Sequence, residues 1–213
     1  MLGMIRVITL EQEEAVHRHG ALLEAKYGLP VISRCIPDQS LGVYDEATEQ
    51  EAIPKIIALA RELEQSGCTA IGISCAADPG LAEVRAATGI PVFGAGSCTA
   101  HLALTASERI GVLTILEEVP PLIRSILGDA FVGMERPDGV VTTVDLNTPA
   151  GKTAALEAAR RLQRLGADCI ALSCTGFATM GFAAEAERTL GIRVLDPILS
   201  LGAAVAASHV GGK

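Results

Sequence analysis

Short runs rich in Ile, Val and Leu alternate along the chain with longer segments whose apolar residues recur at helical spacing, and Gly or Pro often marks the passage between them. The short runs predict strands at 4–10, 29–34, 69–74, 91–95, 110–115, 139–145, 168–173 and 192–196. The longer segments predict helices near 11–26, 46–66, 79–88, 97–107, 117–127, 149–166, 180–190 and 199–210. In the second of these, Ile53, Ile56, Ile57, Ala60 and Leu63 share one helix face and Gly67 supplies a stop. Pro54 suits a first turn, so residues 46–53 are expected as a separate turn or a kinked leading segment. Eight strand–helix units predict an α/β fold built on parallel sheet.

The pattern also repeats. Ile5-Arg6-Val7-Ile8-Thr9-Leu10 lines up with Ile110-Gly111-Val112-Leu113-Thr114-Ile115, and the segment from Gly67 to Cys75 with that from Gly166 to Cys174. Gly89-Ile90-Pro91-Val92 lines up with Gly191-Ile192-Arg193-Val194. The offsets of 105, 99 and 102 residues describe one duplicated unit with small insertions. Two half-barrels would also produce such a duplication, but 213 residues fit two doubly wound units with a cleft between them better than a (β/α)8 barrel.

Composition narrows the ligand. Lys and Arg number 17 against 25 Asp and Glu, a formal charge of −8, so a footprint for nucleic-acid phosphates is missing. Aromatic residues make up 3% of the chain, which leaves few rings for stacking and points to a small ligand held by polar groups. No apolar run approaches the ~20 residues needed to cross a bilayer. Met1–Arg6 enters a strand-like run without the regions of a signal peptide, so a cytoplasmic location without a membrane partner is expected. The six cysteines (35, 68, 75, 98, 169 and 174) are then expected as reduced thiols.

Of these, only Cys75 and Cys174 coincide under the repeat. Each follows an apolar strand at its C-terminal end, where open parallel sheets place ligand-binding groups. After Cys75, Asp78 reads as a helix N-cap and Pro79 as a first helical residue. After Cys174, Thr175-Gly176-Phe177-Ala178-Thr179 leaves backbone N–H groups free to form an anion-binding nest. Two halves related by a pseudo-twofold axis would present one thiol from each side of a shared cleft. A carbon acid held between them would lose a proton to one sulfur and gain one from the other, which is racemase or epimerase chemistry without a cofactor. Buried cysteines are otherwise common as small hydrophobes, and Cys35, Cys68, Cys98 and Cys169 are read that way.

Other chemistries have weaker support. No Cys-x-x-Cys pair occurs, and His17, His19, His101 and His209 stand in no zinc-like spacing with the cysteines, so no metal site is expected. His17 and His19 lie two apart on a predicted helix and are read as solvated. Neither Gly-x-Gly-x-x-Gly after a first strand nor a Walker sequence is present, and Gly94-Ala95-Gly96 reads as a tight strand-to-helix turn. Ser74, Ser97 and Thr175 lack the His and acid of an esterase pattern and are expected only to form hydrogen bonds.

At Ser74-Cys75-Ala76-Ala77-Asp78-Pro79-Gly80, Ile90-Pro91-Val92-Phe93-Gly94 and Ser173-Cys174-Thr175-Gly176, the chain resembles the aspartate/glutamate racemase superfamily, on its hydantoin racemase-like branch. The resemblance covers nearly the whole chain. It implies two pseudo-twofold-related domains, each a four-stranded parallel sheet flanked by helices, with the active-site cleft between them. Residues 1–96 with a returning helix in 199–213 would form the first domain, and 97–198 the second. Cys75 and Cys174 would be the acid/base pair, and the amides of Ala76, Ala77, Thr175 and Gly176 would hold a carboxylate or ring carbonyl. Thr114 matches a position bordering the ligand, and Thr9 is its counterpart by the repeat. Where hydantoin racemases carry an Asn-Pro-Asn segment, this chain has Thr9-Leu10-Glu11. Arg34 and Gln39 are therefore further candidates for the ligand, an exposed ion pair and a turn being the alternatives.

These readings predict a cofactor-independent isomerase, homo-oligomeric, that racemises an amino-acid derivative of hydantoin type or an amino acid. The alternatives that the resemblance leaves are a maleate isomerase-like cis-trans isomerase of an unsaturated diacid with a Cys nucleophile, or a non-catalytic small-anion binding protein; retention of both cysteines argues against a single-cysteine decarboxylase.

Overall fold

The computed structural model describes residues 1–208. The chain runs through β1 (Leu2–Arg6), α1 (Glu13–Tyr27), β2 (Val31–Cys35), α2 (Glu46–Gln65), β3 (Ala70–Ser74), α3 (Leu81–Ala87), β4 (Val92–Gly94) and α4 (Ala95–Ala106). It continues through β5 (Ile110–Thr114), α5 (Pro121–Leu127), β6 (Phe131–Glu135), α6 (Thr143–Leu146) and α7 (Pro149–Arg164). The last elements are β7 (Cys169–Ser173), α8 (Gly176–Thr179), α9 (Phe182–Leu190), β8 (Arg193–Leu195) and α10 (Pro197–Ser208).

Two four-stranded sheets result, ordered β2-β1-β3-β4 and β6-β5-β7-β8, and every pairing is parallel. This is the two-domain α/β architecture, each sheet flanked by helices. The central strands β1, β3, β5 and β7 are buried along their whole length, because helices cover both faces. Helix α10 packs on α1 and α4, with Ile198, Leu201 and Val205 in one apolar cluster with Leu2, Met4 and Leu23. The expected first domain reaches residue 213; its last five residues, 209–213, lie outside the described residues.

The structure corrects several expectations. The sixth strand is Phe131–Glu135, not 139–145. Thr142 and Asp145 form a capping box that starts α6 inside the β-branched run, where Val141 is exposed. The true strand is a half-buried sheet edge interrupted by Gly133, so its apolar pattern is faint. Pro54 lies inside an uninterrupted α2, which starts from a capping box of Asp45 and Thr48 and buries Ala52, Ile56, Leu59, Ala60 and Leu63. Asp78 does not cap the helix that follows it, whose N-cap is Gly80. Its buried carboxylate instead accepts from the amides of Gly96 at 2.8 Å and Ser97 at 2.6 Å, capping α4 across the sheet edge. Gly96 is required there, since a Cβ would lie 2.0 Å from the Ala76 carbonyl oxygen.

The first strand also ends earlier than its apolar run. β1 stops at Arg6, and pairing sets Arg6 beside Ser74 as Thr114 stands beside Ser173. Arg6, and not Thr9, is thus the structural counterpart of Thr114. The sequence alignment of the two first strands was displaced by three residues because Val7, Ile8 and Leu10, which prolong the apolar run, line a cavity beyond the strand end.

Candidate active site

Equivalent strands β3 and β7 deliver Cys75 and Cys174 to their C-terminal ends, and both thiols open on one cavity of about 490 Å³ between the two sheets. The first domain contributes Arg6, Val7, Ile8 and Leu10 after β1, Arg18 and His19 from α1, and Ser74–Ala77. The second contributes Ile115 and Leu116 after β5, Thr143, Val144, Asn147 and Thr148 around α6, Ser173–Gly176, and Thr179. The two cysteine loops touch: the Thr175 hydroxyl donates to the Ser74 carbonyl at 3.4 Å.

Of the residues singled out from the sequence, Cys75, Cys174, Ala76, Ala77, Thr175 and Gly176 line the cavity. Gly176 lets α6 close over the Cys174 loop, since a Cβ there would meet Thr143 Cγ2 at 2.6 Å. Thr9, Arg34, Gln39 and Thr114 do not line it. Thr9 Oγ1 donates to the Ile36 carbonyl and accepts from the Gln39 amide, pinning two loops together. Gln39 is buried, bonded to the Gly42 and Thr48 carbonyls and to Lys55. Arg34 faces solvent and pairs loosely with Glu62 at 3.9 Å. Thr114 Oγ1 donates to the Ser173 carbonyl and accepts from the Leu116 amide, shaping the turn behind the wall.

Both thiols lie in surroundings that favour the neutral form. Burial pushes Cys75 up to about 12; the Ala77 amide opposes this, while Cys174, Asp78 and Glu49 add to it. Burial also raises Cys174, against the amides of Gly176 and Phe177 and the Thr143 hydroxyl at 3.8 Å. Amides of both cysteine loops thus oppose the shift, but desolvation outweighs them. Asp78, raised to about 6 by burial, is an anion at neutral pH.

Three cavity residues escaped the sequence reading. His19 is not solvated: it is 1% exposed, with Nδ1 2.8 Å from Ser74 Oγ and Nε2 3.0 Å from Thr179 Oγ1. Burial, then Arg6 and Arg18, hold it well below the ordinary imidazole range, so it is neutral and donates through one nitrogen only. It ties the strand end before Cys75 to the helix after Cys174. Spacing from Gly20, Leu23 and Tyr27 puts His19 on the inner stripe of α1, a signal that outweighs its distance from His17. His19→Ala leaves both hydroxyls without this partner and is expected to cost about 1–3 kcal/mol, read as a lower urea midpoint. An unchanged midpoint would remove this bridge from the account of how the loops are held.

Arg6 and Arg18 are the other two. Arg6 is 6% exposed, and its Nη1 donates to the carbonyls of Ala15 at 2.7 Å and Val16 at 2.9 Å. A charged residue closing an otherwise apolar strand was the available signal. Among the described residues, no group of three or more His, Cys, Asp or Glu is placed to hold a metal ion, and no helix is long and apolar enough to cross a membrane. All six cysteines are free.

Residues 16–205 match the Asp/Glu/Hydantoin racemase family. The chain is 29% identical over 189 residues to a hydantoin racemase of Rhizobium meliloti, covering 81% of this chain and 77% of that one. Its fold is similar to that of an allantoin racemase from Klebsiella pneumoniae, with a TM-score of 0.84 at 21% identity over 98% of this chain and 86% of the other. An arylmalonate decarboxylase shares the fold more distantly, with a TM-score of 0.65 at 19% identity over 100% of this chain and 94% of the other.

Proposed function

The chain belongs to the Asp/Glu/Hydantoin racemase family and is an isomerase of the racemase type; on that premise we propose that Cys75 and Cys174 are its acid/base pair, acting on a small cyclic amide of hydantoin type. The observation that carries the reading is the arrival of two thiols, from equivalent strand ends of two duplicated domains, on one cavity.

The reaction follows from that symmetry. The competent enzyme holds one thiolate and one thiol. The thiolate takes the proton from the substrate carbon, and the electron pair moves onto the adjacent carbonyl oxygen as an enolate. The opposite thiol then protonates the other face, so the product is inverted and the thiolate has changed sides. Backbone N–H groups of the two cysteine loops are suited to the enolate oxygen, where charge develops during the step. Both thiols are raised in the same direction, which suits a reaction that runs both ways. Val7, Ile8, Leu10, Val43, Ile115 and Leu116 supply an apolar wall that keeps water from the carbanion.

The test is a panel of single enantiomers of 5-substituted hydantoins and free amino acids in deuterium oxide. The expected result is loss of optical rotation together with deuterium at the stereocentre, greatest for hydantoins with small substituents. Exchange confined to free amino acids would move the substrate class, and exchange of none would remove the two-base reading.

A further inference from the structure

Among the described residues, two arginines on the cavity have no acidic partner. Arg6 is buried at the end of β1, and its Nε has no hydrogen-bond partner. Arg18, exposed one turn into α1, lines the same cavity; its charge acts on Arg6, and both act on His19, the residue after Arg18. Among the described residues, no carboxylate lies within ion-pair distance of either guanidinium. Burying a cation without a counter-charge is expensive, and leaving one of its donors unpaired adds to the cost. Ser173 Oγ is a second buried donor on this cavity without a partner.

The Arg6 head is nonetheless fixed. Two bonds from Nη1 to the carbonyls of Ala15 and Val16 hold it against α1. The outer groove that adjoins the cavity is acidic on balance: Asp45, Glu46, Glu49, Glu117 and Glu118 line it with one cation, Arg136, and neither cavity arginine does. A bound molecule therefore meets a field that is negative toward the groove and positive toward β1 and α1.

We propose that Arg6 and Arg18 form an anion subsite within the cavity, and that the substrate carries a carboxylate on its substituent in addition to the ring that bears the reacting carbon. The carboxylate supplies the missing counter-charge, pairs with the Arg6 guanidinium at the cavity wall and reaches Arg18 as an ion pair. It also fixes which face of the ring meets each cysteine. The position of the reacting carbon rests on the racemase reading above; binding of the carboxylate does not.

The experiment compares 5-carboxymethylhydantoin with its neutral isostere, 5-(carbamoylmethyl)hydantoin, by calorimetric Kd and by deuterium exchange, on the wild type, Arg18→Gln and Arg34→Gln. The expected result is at least a tenfold preference for the acid in wild type that falls toward one in Arg18→Gln. Arg34 faces solvent outside the cavity, so Arg34→Gln retains the preference. Equal affinities in wild type, a preference insensitive to Arg18→Gln, or binding of neither compound overturns the subsite. Exchange of the amide as fast as the acid also overturns it while leaving the racemase reading intact. Tight, Arg18-dependent binding of the acid without exchange supports the subsite and overturns the racemase reading instead.

Discussion

Cys75→Ala and Cys174→Ala are each expected to lower racemisation by about a thousandfold, within the range that a positioned general acid or base contributes. The two losses should differ in kind. With Cys75 absent, the remaining thiolate reaches the substrate hydrogen from one face only. It should exchange the hydrogen of one enantiomer with solvent deuterium and return it with retained configuration. With Cys174 absent, the other enantiomer should exchange. Paired measurements of circular dichroism and deuterium content on each pure enantiomer read this directly. Racemisation that survives either substitution undiminished would refute the two-base assignment, and both variants exchanging the same enantiomer would show that the cysteines do not face opposite sides. The alanine variants remove one sulfur each, and the neighbouring bonds of His19 to Ser74 and Thr179 remain to hold the loops.

The second large effect is on pH. Burial places Cys75 near 12 and raises Cys174 as well, so at neutral pH the competent form, with one thiolate, is a minor species. A thiol whose pKa is raised loses its proton only on the alkaline side. kcat/KM for a hydantoin without further ionisable groups should therefore climb about tenfold per pH unit from roughly pH 7 to roughly pH 8.5. The two sulfurs interact, so the profile reports the first proton lost by the pair. No limb from His19 is expected, because it stays neutral throughout that range. A profile already flat at pH 7 would mean that the loop amides outweigh desolvation and that a stable thiolate exists before substrate binds.

Much of the fold was legible because its signals are local. Buried parallel strands such as Ala70–Ser74 and Cys169–Ser173 need uninterrupted apolar runs, and these stand out in any reading of the chain. The duplication came from the same runs, and it singled out Cys75 and Cys174 among six thiols. What failed was local pattern without its context. The run Val140–Val141 looks like a strand, yet side-chain bonds between Thr142 and Asp145 start a helix there. Phe131–Glu135 looks weak because an edge strand needs only half-burial. Asp78 reads as a cap for the helix beside it in sequence and caps α4, whose N-terminus the fold brings to the same place.

The candidate site divides along the same line. Residues carried on strand ends, such as the cysteines and their following amides, could be found because each strand end faces the cleft and strand ends are visible in the chain. Arg34 and Gln39 looked equally available, but one pairs with Glu62 in solvent and the other holds a loop. Arg18 and His19 were hidden because their role depends on α1 meeting the ends of β1 and β3, and Arg6 because the apolar run continues past the strand end that it closes.

By itself the sequence determined a duplicated, cysteine-paired α/β chain with an acidic overall charge of −8. That charge excluded a footprint for nucleic-acid phosphates. The tertiary structure decided where the charges stand, by bringing Arg6 and Arg18 to the cavity and Asp45, Glu46, Glu49, Glu117 and Glu118, with Arg136, to its outer groove. Net charge is a sum over residues and is fixed by composition, whereas the field in a cleft depends on distance and burial, which exist only once the chain has folded.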